Sequence, residues 1–190
     1  MINIEKCRIT HYPAGVLSQR AQPVEKIDDN IRRLVEKMTD IMLKNSGIGL
    51  AAPQVGMPLQ IFIISLACTR GVATGTGDAS KEAVKVYINP TVTTTGPARH
   101  MAGYSIDEGC LSVPGVYTKV RRYKKCKVTA TDLDGNEFTE EAEGLYARAL
   151  QHEYDHINGF TIVNRMGQTA KIVHRKQLKK LRENYEKGEK

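Results

Sequence analysis

A chain of 190 residues, 41% of them hydrophobic and 26% charged, is long enough for one domain, residues 1–190, with a real core. Its formal net charge of +7 fits either an anionic partner or simply a basic solvated surface. No stretch approaches the roughly 20 apolar residues that cross a bilayer, which excludes a membrane span. The segment Met1 to Cys7 has no apolar signal core and no small-residue cleavage site, and does not resemble an Arg/Ser-rich transit peptide, so a cytoplasmic location is expected.

Ile27, Ile31, Leu34, Met38 and Ile41 recur at helical spacing. Asp28 or Asp29 can cap that helix, and Ser46-Gly47 ends it. The run Gly47 to Gly56 that follows is small and almost uncharged. Its glycines allow close backbone approach to a ligand. It lacks the Gly-Lys-Ser/Thr ending of a phosphate loop, and no basic residue lies within it. A buried turn into a strand at Leu59 to Leu66 fits the run, but leaves Gln54 unexplained. An uncharged amide at that place is suited to polarise a carbonyl beside a metal.

Residues 69–82 are rich in Gly, Thr, Ala and Ser and read as a flexible loop. Val84 to Asn89 resumes a strand, which Pro90 and Gly96-Pro97 are expected to interrupt. The basic cluster from Lys119 to Lys127 reads as the solvated face of a strand. Lys125 to Thr131 alternates as a strand, Asp134-Gly135-Asn136 is a turn signal, and Glu137 to Ala142 can return as the hairpin partner. Gly144 breaks that strand. Leu145 to Ile157 then forms a helix, closed by Asn158-Gly159. Residues 168–186 make a basic final helix, with Ile172, Leu178 and Leu181 as its apolar residues and Lys171, Arg175, Lys179 and Arg182 on one stripe. The fold class is α+β: mainly antiparallel strands around a central motif helix, with an N-terminal and a C-terminal helix.

That central helix carries His152-Glu153-Tyr154-Asp155-His156. Positions 152 and 156 lie one turn apart on one face, so both imidazoles can reach one divalent metal. Leu145 and Ala149 share that face, which makes it the floor of a site. Glu153 falls beside the place where a metal-activated water would sit, as a base for it. Cys110, in Glu108-Gly109-Cys110-Leu111-Ser112, is the candidate third ligand. Of the four cysteines it alone sits among glycine and polar residues. Cys126 alternates with Val128 and Ala130 as a small core residue, and Cys7 and Cys68 have no partner pattern, so no secreted disulfide framework is indicated. Two histidines and one thiolate leave a fourth tetrahedral position open, the mark of a catalytic site. Such a set accepts Zn²⁺ or Fe²⁺. Glu108 and Arg122 read as an ion pair that orients the ligands. Asp155 reads either as a partner in the same work or as a solvated helix carboxylate.

The three segments, in this order, resemble the peptide deformylase family. Its pattern is Gly-x-Gly-x-Ala-Ala-x-Gln, then Glu-Gly-Cys-x-Ser, then Gln-His-Glu-x-Asp-His. The chain matches it at Gly47, Gly49, Ala51, Ala52 and Gln54, at Glu108, Gly109, Cys110 and Ser112, and at Gln151, His152, Glu153, Asp155 and His156. The resemblance implies removal of the formyl group from N-formylmethionyl nascent peptides. It implies Cys110, His152 and His156 as metal ligands, and Glu153 as general base, then general acid. The Gln54 amide and the Leu111 backbone N–H would hold the oxyanion. The peptide backbone would pair along Ile48-Gly49 with Gly109 opposite, and Ile48, Ile106 and Leu145 would wall the methionine pocket.

Relative to shorter bacterial members, the loop at 69–82 looks like an insertion. Arg148 stands where many members have an aliphatic residue. It either lays its stem along the pocket with its head in water or narrows the pocket. Tyr117 stands where some have a basic residue. Likeness to members whose C-terminal helix contacts the ribosome implies the same for this basic helix, as a part separable from hydrolysis. Two other classes share the helix motif: a general HExxH metallopeptidase and a non-catalytic basic metal-binding protein.

Overall fold

The structure is a computed structural model that describes residues 4–70, 84–99 and 107–188. Ile106 and residues 71–82 of the expected loop lie outside the described residues. Thr69 and Arg70, where that loop was to begin, close a 3-10 helix, Leu66–Arg70.

Helix α1 (Asp29–Lys44) begins where the Asp28 side chain accepts from the backbone N–H groups of Asn30 and Ile31, which satisfies two donors that the helix itself leaves unpaired. Strands β1 (Gly49–Ala51), β2 (Ile61–Ser65), β3 (Val84–Arg99), β6 (Arg122–Thr131) and β7 (Glu137–Glu143) form one antiparallel sheet in the order β1-β2-β3-β6-β7. Between β3 and β6, strands β4 (Glu108–Gly109) and β5 (Tyr117–Thr118) pair separately. Helix α2 (Gly144–Ile157) follows β7 directly, with Gly144 at φ 68° making the corner. A one-turn helix α3 (Ile162–Arg165), then α4 (Gln168–Val173) and α5 (Arg175–Glu186), complete the chain.

The sheet is covered on both faces, and β2 shows why its sequence is continuously apolar. Ile61 and Ile63 pack with Ile31, Leu34, Met38 and Met42 of α1. Phe62 and Ile64 point the other way and pack with Ala147, Leu150 and Ile157 of α2. A third apolar cluster lies apart: Val113, Val116 and Val120 with Ile162, Met166, Leu178 and Leu181. Among the described residues no helix is long and apolar enough to cross a membrane.

Some expectations are corrected. Pro90 and Gly96-Pro97 do not end β3. Its register with β6 shifts between Ile88 and Thr91 and again between Thr95 and Ala98, and these irregularities absorb residues that cannot keep the ladder. The C-terminal helix is two helices, bent at His174, and Ile172 is 75% exposed rather than apolar core. Along 119–127 the face is solvated, as expected, except at Arg122, which is buried. The four cysteines are all free.

The start of α2 is tied to the sheet by a polar knot. The hydroxyls of Tyr87 on β3 and Tyr146 on α2 each donate to Glu140 Oε1 on β7 at 2.6 Å, and they touch one another. Lys85 Nζ donates to Glu140 Oε2 at 2.6 Å and lies 4.3 Å from the centre of the Phe138 ring. Burial would raise the Glu140 carboxyl, but these bonds outweigh it and hold the group below the usual glutamate range. A group with a lowered folded value stabilises the fold above its ordinary value and loses that contribution as pH falls through the lowered one. Glu140→Gln should therefore cost about 1–3 kcal/mol at neutral pH. The gap from the parent should close as pH drops below the glutamate range, read by urea unfolding across a pH series.

Candidate metal centre

The α2 helix presents His152 and His156 one turn apart, both buried, with ring centres 5.1 Å apart. Cys110 comes from the turn after β4, and its Sγ lies 3.2 Å from His156 Nε2. One ligand atom from each of Cys110, His152 and His156 can be chosen so that all three lie within 4.8 Å of one another. Among the described residues no other group of His, Cys, Asp or Glu is so arranged. A thiolate with two imidazoles is a donor set suited to Zn²⁺ or Fe²⁺. The buried Glu153 Oε2, on the adjacent residue, has no hydrogen-bond partner in the protein.

Beneath this cluster lies a network of buried charge. Glu108 accepts from Arg122 Nε at Oε1 and Arg122 Nη2 at Oε2, both at 3.0 Å. Arg148 Nη1 adds a bond to Oε1 at 2.8 Å, and His152 Nδ1 lies 3.1 Å from Oε2. A carboxylate only accepts, so Nδ1 carries the hydrogen and Nε2 is the atom left for a metal. Burial would raise the Glu108 carboxyl, yet the bonds from His152 and Arg122 hold it well below the usual carboxylate range. Arg122 also donates from Nη1 to Asp155 Oδ2 at 2.6 Å, and Arg165 grips the same carboxylate through Nε at 2.9 Å and through Nη2.

The reading of Asp155 as a solvated carboxylate is thus set aside, because it is buried between two arginines. Arg148 does not keep its head in water, but turns it inward to Glu108. Sequence reasoning missed this contact. Its signal was present, since Arg148 lies four residues before His152 on one helix face. Arg165 was missed with no comparable signal.

Glu153 stands beside the cluster, and burial pushes its carboxyl up to about 7, against the pull of the charges on His152 and Arg122. The backbone of β1 crosses directly over it. A Cβ built on Gly49 would lie 2.5 Å from Glu153 Oε1, so the glycine there is a requirement of space. Gln54 is also buried. Its Oε1 accepts from the Ala51 N–H at 2.7 Å, and Nε2 lies 3.6 Å from Cys110 Sγ. The Ala51 donor fixes which way the amide faces: oxygen away from the cluster, N–H toward it.

On the other side Gly109 lies under the Tyr117 ring, where a Cβ would meet the ring at 2.6 Å. Ile48 packs at the margin of the α2-side core, Leu111 at that of the α1-side core, and Leu145 is buried on α2. Of the residues singled out from sequence, Gln54, Glu108, Cys110, Arg122, His152, Glu153 and His156 are linked to one another by direct contact or by neighbouring position.

Arg122→Met would leave two buried carboxylates short of their shared counter-ion and should cost about 3–5 kcal/mol, measured by chemical denaturation. Gly49→Ala should leave the fold largely intact while displacing Glu153. A misplacement of that kind costs about 100-fold in rate, and steady-state kinetics beside a thermal melt would separate the two effects.

The family model described as polypeptide deformylase matches residues 6–171. The chain is 36% identical over 171 residues to the peptide deformylase of Thermotoga sp. (strain RQ2), covering 90% of this chain and 93% of that one. It is 40% identical over 172 residues to the peptide deformylase of Saccharophagus degradans, covering 90% and 91%. The crystal structure of peptide deformylase from Plasmodium falciparum superposes with a TM-score of 0.84 at 32% identity, over 94% of this chain and 97% of that one. With a matched span that contains all three motifs and the charge network beneath them, this chain belongs to the polypeptide deformylase family.

Proposed function

We propose that Cys110, His152 and His156 hold one divalent ion, Fe²⁺ or Zn²⁺, and that the chain is the hydrolase that removes the formyl group from the N-terminal formylmethionine of nascent polypeptides, releasing formate. The observation that carries this reading is the convergence of one thiol, two imidazoles, a buried carboxyl near neutrality and an oriented amide N–H on one spot. A divalent ion bound there lowers the pKa of water toward neutrality and polarises the carbonyl under attack.

The protein groups do the rest. Glu153 takes a proton from the attacking water as the new C–O bond forms, and returns it to the amine as the C–N bond breaks. Burial suits it to both halves of that transfer. The Gln54 side-chain N–H and the Leu111 backbone N–H donate to the oxygen on which negative charge develops. Because β1 is the edge strand of its sheet, Ile48-Gly49 can take the peptide as an added strand, with Gly109 on its other side. Ile48 and Leu145 supply apolar walls for methionine. Contact between the basic outer surface of α5 and the ribosome belongs to this reading as a way to meet the substrate where it emerges.

Formate release from formyl-Met-Ala-Ser, run beside cleavage of the unformylated peptide, separates deformylation from general peptidase activity and from metal storage without catalysis. Glu153→Gln should retain the metal and lose about 100- to 10,000-fold in turnover. Cys110→Ser should lose the metal itself, because a hydroxyl is a poor ligand at neutral pH. Metal content measured beside turnover checks both. A metal-replete Glu153→Gln protein with full turnover, or a Cys110→Ser protein with full metal, would contradict the roles given to these residues.

A further inference from the structure

The C-terminal helices are built into the loop that carries Cys110. Leu178 and Leu181 of α5 are buried against Val113, Val116 and Val120, and Cys110 packs on the edge of the same cluster. Gln177 Nε2 donates to the Pro114 carbonyl at 2.8 Å, and His174 Nε2 lies 3.0 Å from the Tyr117 carbonyl. A carbonyl only accepts, so His174 donates there. Arg182 donates to the Tyr12 hydroxyl from Nη2 at 2.6 Å and Nε at 3.1 Å, and the Tyr12 backbone N–H donates to the Ser112 carbonyl at 2.8 Å. Gln177 is seated on Gly115, which has φ +77° and where a Cβ would come within 3.0 Å of Nε2.

The loop has little regular structure of its own with which to hold this position. Its internal backbone bonds are Val113 N–H to Cys110 O at 2.9 Å and Val116 N–H to Val113 O at 3.3 Å, flanked by the two-residue pairing of β4 with β5. The carbonyls of Ser112, Pro114 and Tyr117 are therefore fixed from outside, two by α5 and its bend and one through Tyr12. Cys110 and Leu111 stand at the head of that stretch.

We infer that the α4–α5 bend is a clamp on the Cys110–Tyr117 loop, with His174 and Gln177 as positioning residues that set the Cys110 thiol and the Leu111 N–H although neither touches the cluster. The inference rests on the reading of Cys110 as a metal ligand. It also revises the expectation of a separable tail, since removing residues beyond Gly167 would strip Leu178 and Leu181 from a core that borders the site.

The test is the double variant His174→Ala/Gln177→Ala in the full chain. In metal-free protein, alkylation of Cys110 by iodoacetamide, followed by peptide mass, should speed up. Cys7, Cys68 and Cys126 are buried and should stay unreactive, reporting that the fold is intact. Loss of Zn²⁺ to a chelator should be about tenfold faster, the scale on which groups supporting a ligand act. In the Co²⁺-substituted protein the thiolate-to-cobalt absorption band should shift, which loss of stability alone would not produce. Alkylation and chelator rates equal to the parent, in a folded variant, would overturn the clamp. If the double variant exposes the three buried cysteines, the single Gln177→Ala variant carries the same comparison. Failure of the ligand reading is distinguishable: the parent chain and Cys110→Ser would then bind metal alike, while the alkylation rates of metal-free protein would still decide the clamp.

Discussion

The site depends on one buried carboxylate. Glu108 comes from β4, Arg122 from the first residue of β6, and Arg148 and His152 from α2, so a single side chain joins three elements that are distant in sequence. An isolated ionised carboxyl in that place would be prohibitively unfavourable. Two guanidinium groups and an imidazole N–H meet both of its oxygens, and the bidentate fork of Arg122 fixes its plane. The arrangement need not add stability over an apolar core. What it supplies is orientation: it holds the tautomer and tilt of His152, and it positions the short strand that ends just before Cys110.

The same constraint explains the unusual burial of α2. Gln151, His152, Glu153, Asp155 and His156 are all buried on a short helix. A helix whose only task was to cover a sheet would carry aliphatic residues there. Here the sheet-facing side is served by Ala147, Leu150 and Ile157, while the polar residues find partners one by one. Gln151 donates to the Tyr123 carbonyl and accepts its N–H, both at 2.9 Å, which binds the helix to the adjoining strand. Glu153 Oε2 and His156 Nδ1 are the exceptions, and both belong to residues of the site itself.

Local chemistry was the legible part of the chain. The spacing of Ile31, Leu34 and Met38, with Asp28 before them, was enough for α1 and its cap. Asp134-Gly135-Asn136 gave the hairpin, and three short motifs marked Cys110, His152 and His156, which lie together. The failures share a cause: tertiary context overrode a local signal or supplied one that the sequence lacks. Pro90 and Gly96-Pro97 are stop signals in isolation, but beyond Ile88 the strand pairs with β6 alone, so its open edge tolerates proline and register shifts let it continue. The bend at His174 has neither glycine nor proline to announce it. The partnership of Asp155 with Arg165 depends on a turn after α2 that brings the two together, and no periodicity encodes it.

The distribution of thiols has a consequence for redox chemistry. Burial pushes Cys68 up to about 12 and Cys126 up to about 11, so both stay protonated and inert, and Cys7 is raised by the same cause. Cys110 alone is partly open to solvent. An oxidant that reaches this protein therefore meets one accessible thiol, and it is the one proposed above as a metal ligand. Thiol oxidation is thereby directed to the proposed metal centre and spares the core: the molecule would lose its proposed chemistry while keeping its shape.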